Sequence, residues 1–261
     1  MKLTIIRRSL WIALLALLPL HLPADGVKID GMPSGSGSYD NLVVLFDEFL
    51  DWKNTDSRYD TAAVEARIAE MEKFQARLSD MAVIDWDLDQ QVDYLAVRSR
   101  FDQYDFRLRV SRPWSRDPGF YADQMLRVTF TELPLDEPEA ADLRNRLESI
   151  AALAYDAQNN LTEVAADYAD LAIHNLRNAD GVGHGFPYRA TPPRGVIGWY
   201  EDLLSRAQRQ QPELVGAITE TRAAVESFHD WLVANRSDMT APAGVGEEHF
   251  NWYLKHVKLM P

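Results

Sequence analysis

A chain of 261 residues that is 46% hydrophobic, with 13 glycines and 13 prolines, has the composition of a folded globular protein, which excludes disorder along its whole length. Its 40 acidic against 27 basic residues give a formal charge of −13, which repels phosphate backbones and anionic lipid and argues against nucleic acid as a partner. The absence of cysteine removes disulfides, thiolate nucleophiles and cysteine-ligated zinc together.

At the beginning, Lys2, Arg7 and Arg8 precede an apolar run at 10–18. The run is short for a membrane span but suits the apolar region of an export signal. Leu22-Pro23-Ala24 supplies a small residue for cleavage, so 1–24 is read as a signal peptide, with an uncleaved anchor as the alternative. No cysteine follows for lipid attachment. The expectation is a periplasmic or secreted protein without a membrane span after cleavage. Residues 25–40, with Ser34-Gly35-Ser36-Gly37-Ser38 inside them, read as a flexible spacer, because glycine and serine bury too little apolar area to offset ordering entropy.

The domain, 41–261, reads as mainly α, a bundle-like array of several helices. Asp40 is the expected cap of a first helix with an apolar stripe at Leu42, Leu45, Phe46, Phe49 and Leu50. Asp60 or Thr61 caps a second with Val64, Ile68, Met71 and Leu78. A third spans about 89–110, with an apolar series at Val92, Leu95, Ala96, Phe106 and Val110, and ends where proline follows Arg112. Only 126–131, Leu-Arg-Val-Thr-Phe-Thr, alternates with β-branched residues and predicts an isolated strand. A fourth helix starts near Pro138, runs through Leu143, Leu147, Ile150 and Ala154, and breaks at Asn159-Asn160. Thr162 caps a fifth that turns Val164, Ala165, Tyr168, Leu171 and Ala172 inward and ends before Gly181-Val182-Gly183-His184-Gly185. A sixth covers about 196–210. Pro212 opens a seventh with Val215, Ile218, Ala224, Val225, Phe228 and Leu232 on its apolar side, and a short eighth covers 247–257. No repeat of fixed period is present.

Motifs that could carry chemistry have plainer explanations. Asp85-Trp86-Asp87-Leu88-Asp89 begins like a calcium loop, but Gln90 and Ala96 stand where glycine and a bidentate glutamate are needed, leaving a polar turn into a helix. The glycines at 181–185 follow a helix rather than a strand, which does not suit a phosphate cradle. Of the histidines, His21, His174, His184, His229, His249 and His256, the nearest two are His249 and His256. They are two turns apart, about 10.5 Å along a helix, too far for two nitrogens bound at about 2 Å to one ion. In Arg112-Pro113-Trp114-Ser115-Arg116-Asp117, the arginines could fork onto a carboxylate. The reading adopted is packing of Trp114, with Asp117 paired to an arginine. No Gly-x-Ser-x-Gly elbow is present.

The string Val92-Asp93-Tyr94-Leu95, the charged helix after it, and Arg112-Pro113-Trp114-Ser115-Arg116-Asp117-Pro118-Gly119-Phe120-Tyr121 resemble the bacterial domain-of-unknown-function family 885, whose members look like zinc-dependent peptidases. Residues 244–261, from Gly244-Val245-Gly246 through Glu247-Glu248-His249 to Pro261, are similar to the segment ahead of that family's metal-binding helix. The resemblance implies zinc held by a His-Glu-x-x-His helix later than Pro261, so no catalytic, cofactor-binding or metal residue is assigned in this sequence. It further implies the N-terminal half of a longer protein, inactive alone, whose partners are a peptide substrate or the missing C-terminal half. The competing expectation is a complete, non-catalytic helical module that binds peptides or a partner protein through an acidic groove.

Overall fold

The computed structural model describes residues 29–55, 59–180 and 190–260. The segment read as an export signal, 1–24, and the glycine-rich residues 181–185 lie outside them. The described chain is a mainly helical array. Its first half is a three-helix unit of α1 (Tyr39–Lys53), α2 (Thr61–Ser79) and α3 (Leu88–Phe106). Two short helices, α4 (Pro113–Arg116) and α5 (Gly119–Leu126), lead to α6 (Glu137–Asn160), α7 (Ala166–Arg177), α8 (Gly195–Gln210) and α9 (Val215–Asn235). Finally α10 (Glu247–His256) returns to lie against α3.

The start of α1 is fixed two residues earlier than the position of Asp40 suggests. Ser38, not Asp40, is the cap: its hydroxyl accepts the Asn41 N–H and the Asn41 carboxamide accepts the Ser38 N–H at 2.9 Å. Nor is 34–38 a free spacer. The amides of Gly35, Ser36 and Gly37 donate to the carbonyls of Met81 and Asp80 at 2.7–2.9 Å, and Ala82 returns a bond to Gly37. A Cβ on Gly35 would sit 2.2 Å from the Asp80 carbonyl oxygen, so glycine here permits close backbone approach.

In the three-helix unit, Phe49 is the hub. Its ring meets Phe101 at 4.5 Å, Phe74 at 5.7 Å and Tyr104 at 5.7 Å. The buried stripe of α3 is Gln91, Tyr94, Val97 and Phe101, whereas Val92 is 52% exposed and Ala96 faces solvent. Of the expected apolar series, Val92 and Ala96 are therefore turned off the core, while Leu95 packs at its margin and Phe106 is buried. Gln91 can take an inner place because its side chain donates to the Trp86 carbonyl and accepts the Ile29 N–H. After Phe106 the helix widens into a π-turn, Arg107–Ser111, with Arg112 N–H bonding the Arg107 carbonyl and Arg112 left-handed at φ 39°. Insertions of this kind cluster at functional sites.

In the second half α6 packs most extensively on α9, and small residues allow it: Ala140, Ala154, Ala157 and Ala224 are fully buried. Thr221 Oγ1 donates across this interface to the Leu147 carbonyl at 3.0 Å. The strand expected at 126–131 is instead a 3-10 turn, Arg127–Phe130. Local bonds replace a ladder there: Thr131 N–H donates to the Val128 carbonyl, and the carbonyls of Thr129 and Thr131 accept from the buried Arg206. The fifth predicted helix also starts later. Val164 and Ala165 are buried but precede α7, Thr162 caps nothing, and Leu171 is 58% exposed, the inner face being Ala169, Ala172 and Leu176.

Candidate functional site

The Arg112–Tyr121 motif is structural, as far as packing goes. Trp114 is buried with its ring stacked on Tyr59 at 5.6 Å. Asp117 does not pair with an arginine; it accepts the Gly119 N–H at 2.8 Å and starts α5, while burial pushes its carboxyl above the ordinary range. Arg112 forks onto Glu163 at 2.8 and 2.6 Å, and that guanidinium holds the Glu163 carboxyl below its usual value. Arg116 donates to the carbonyls of Pro242 at 2.7 Å and Gly244 at 3.0 Å. Tyr168 adds a bond to Ala243, and Ala241 N–H one to Val164. The motif thus straps down 241–244, the segment that delivers α10.

α10 is held to α3 by few but specific contacts. Ser99 Oγ donates to the Val257 carbonyl at 2.8 Å, Gln103 donates to the Tyr253 hydroxyl at 3.3 Å, and Trp252 stacks on Phe106 at 5.8 Å. No residue of α10 itself is fully buried, and Phe250 is 54% exposed.

Between α1, the end of α3, the π-turn and α10 lies a cleft of about 790 Å³. That size is within the usual range for small-ligand sites. Its apolar walls are Phe46, Phe49, Leu50 and Phe106, and its polar lining includes Lys53, Arg100, Gln103, Tyr104, Arg107 and Tyr253. Among the described residues, three cations and no carboxylate line it. The competing expectation of an acidic groove does not describe this cleft, whose sign is opposite to the net charge of −13. Among the described residues none of the three cations pairs with a carboxylate: Arg100 donates to the Gln103 carboxamide at 3.1 Å and Arg107 lies over the Phe120 ring at 5.7 Å.

A fourth cation shapes the floor. Arg67 stacks on Trp52 at 4.6 Å, donates from Nε to the Tyr104 hydroxyl at 2.9 Å, and reaches the Lys53 carbonyl at 3.2 Å. The Tyr104 oxygen is therefore an acceptor towards Arg67, which leaves its own proton to donate into the cleft. Gln103 does the same for Tyr253.

The described histidines do not converge. His249 meets Phe106 edge-on at 6.4 Å, His256 stacks on Trp252 at 4.7 Å, and His229 Nδ1 lies 2.9 Å from Asp230. Among the described residues no cluster of three or more His, Asp or Glu side chains could hold a metal ion. The zinc implied by the family 885 resemblance thus has no fitting donor set in these residues. Sequence reasoning missed the cleft entirely. Its one readable trace was basic residues at two helix ends, Lys53 and Arg107.

No protein-family profile matches the chain, and no curated protein matches it. One solved structure does, "a putative lipoprotein of unknown function from Shewanella oneidensis", with a TM-score of 0.58 at 14% identity over 85% of this chain. This chain spans 42% of the length of that one. The likeness supports the helical fold. No helix among the described residues is long and apolar enough to cross a membrane.

Proposed function

We propose that this protein is an exported, non-catalytic binding module that takes an anionic organic ligand with an apolar body in the cleft between α1, α3 and α10. The supporting observation is the lining: Lys53, Arg100 and Arg107 beside Phe46, Leu50 and Phe106, with no carboxylate among them. Guanidinium and ammonium donors recognise an oxyanion, and the rings receive the apolar part. Of the polar groups among the described lining residues, Lys53, Arg100, Arg107 and the Tyr104 hydroxyl are donors suited to holding an anion. Export rests on Lys2, Arg7, Arg8 and the apolar run at 10–18.

Calorimetric titration with 3-phenylpropionate and its alcohol, 3-phenylpropanol, tests this reading. The acid binds at least tenfold more tightly, salt weakens it, and Arg107→Gln removes the preference. Equal affinity for acid and alcohol refutes it.

The second reading is the helical half of a family 885 protein, forming one wall of a cleft completed elsewhere. Exposed apolar side chains favour it: Val43 and Val44 on α1, Val92 on α3, and Phe250 on α10. Purified 29–261, which keeps the Ser38 cap and the 34–37 contacts, then self-associates, and a monomer at micromolar concentration with one cooperative transition contradicts that reading.

A further inference from the structure

A second hollow of about 290 Å³ adjoins the cleft, and the two share Lys53, Tyr104 and Arg107 as lining. Every polar tip at this junction is a donor: an ammonium, a guanidinium, and the Tyr104 hydroxyl, whose oxygen is already engaged by Arg67. The junction is where an oxyanion fits.

The two arms differ. The larger is walled by Phe46, Leu50 and Phe106 and suits an aromatic or branched apolar group. The smaller, beside Trp114 and Leu153, also presents Gln124. The Gln124 NH₂ donates to the Phe120 carbonyl at 2.8 Å, so its carboxamide oxygen remains to accept an N–H from a ligand. A single carbon bearing a carboxylate, an apolar side chain and an acylamino arm would place one substituent in each of these environments. Resting on the reading of the cleft as an anion site, we propose that the double hollow binds an N-acyl α-amino carboxylate with a large apolar side chain. This is the chemistry of the carboxyl end of a short peptide and of an N-acylated amino acid.

Calorimetry on the full chain compares N-acetyl-L-phenylalanine with its carboxamide, with 3-phenylpropionate, and with the tripeptide Ala-Ala-Phe. N-acetyl-L-phenylalanine is expected to bind at least tenfold more tightly than both the carboxamide and phenylpropionate, and Lys53→Gln or Arg107→Gln to cost at least tenfold. A tripeptide that binds more tightly than N-acetylphenylalanine supports peptide ends as the source, and a weaker one supports N-acylated amino acids. If phenylpropionate equals N-acetylphenylalanine, the acylamino arm is refuted while the anion site stands. If no acid in the panel binds, or the carboxamide equals the acid, both readings fall.

Discussion

Replacing Asp102 with asparagine should stabilise the protein at pH 8 and do little near pH 4. Asp102 lies on α3, and burial pushes its carboxyl from 3.8 to about 6; nearby Asp105 adds to the rise, and the Arg98 guanidinium opposes it without cancelling it. Between those two values the folded protein holds a proton that the unfolded chain has released. Stability therefore falls as pH rises through this window, and the full penalty is present above about pH 6. A shift of about two units is worth at most about 3 kcal/mol. Asp102 is only half-buried, and solvent screening reduces this to about 1–2 kcal/mol. Asparagine keeps the shape and removes the charge. Thermal unfolding at pH 8 should therefore show a midpoint about 2–8 °C above wild type. The gap should close as pH falls towards 4. A gap independent of pH, or a less stable variant at pH 8, would show that the carboxylate is better solvated or better paired with Arg98 than its surroundings indicate.

Arg116→Met removes the charged donors that hold the carbonyls of Pro242 and Gly244; the expected loss is about 3 kcal/mol, with faster amide exchange through 241–256 in mass-spectrometric hydrogen exchange. Ala224→Leu overfills the α6–α9 interface, where Ala224 is fully buried, and should cost about 1–3 kcal/mol in urea unfolding. Gly195→Ala forces a left-handed residue at φ 62° and puts a Cβ 2.6 Å from the Leu176 carbonyl oxygen. It should cost at least about 2 kcal/mol, and a wild-type denaturation midpoint would show that the α7–α8 junction relaxes freely.

Helices whose inner face is built from apolar residues at helical spacing could be read directly. In α6 the stripe of Leu143, Leu147, Ile150 and Ala154 is the buried one, and α9 behaves the same way with Ile218, Ala224, Val225, Phe228 and Leu232. α3 resisted because its inner stripe contains Gln91 and Tyr94 while Val92 points outward; hydropathy alone cannot know that a glutamine's hydrogen bonds will be met from Trp86 and Ile29. The 127–130 turn misled for a related reason. Val128 and Thr129 favour strands, but no ladder partner is near, and Arg206, some 75 residues later in sequence, satisfies the carbonyls instead. The site was least legible, because its walls come from the end of α1, the end of α3 and a helix 150 residues beyond Gln103.

Net charge could not foretell the basic lining of the cleft, since a sum over the chain says nothing about which side chains line one hollow. Lys53 sits in the last turn of α1 and Arg107 directly follows α3, where cations stabilise helix ends whether or not a ligand exists. Arg67 brings these two ends together by bonding both the Lys53 carbonyl and Tyr104. A purely helix-capping role and a ligand-binding role therefore predict the same arrangement but different responses. If Lys53 and Arg107 serve only the helix ends, neutral replacements cost about 0.3–1 kcal/mol each in stability and leave affinity for an acid equal to that for its alcohol. If they hold an oxyanion, stability changes just as little, but the preference for the acid disappears. Measuring unfolding and binding on the same Lys53→Gln and Arg107→Gln proteins separates the two, because only the binding readout differs between them.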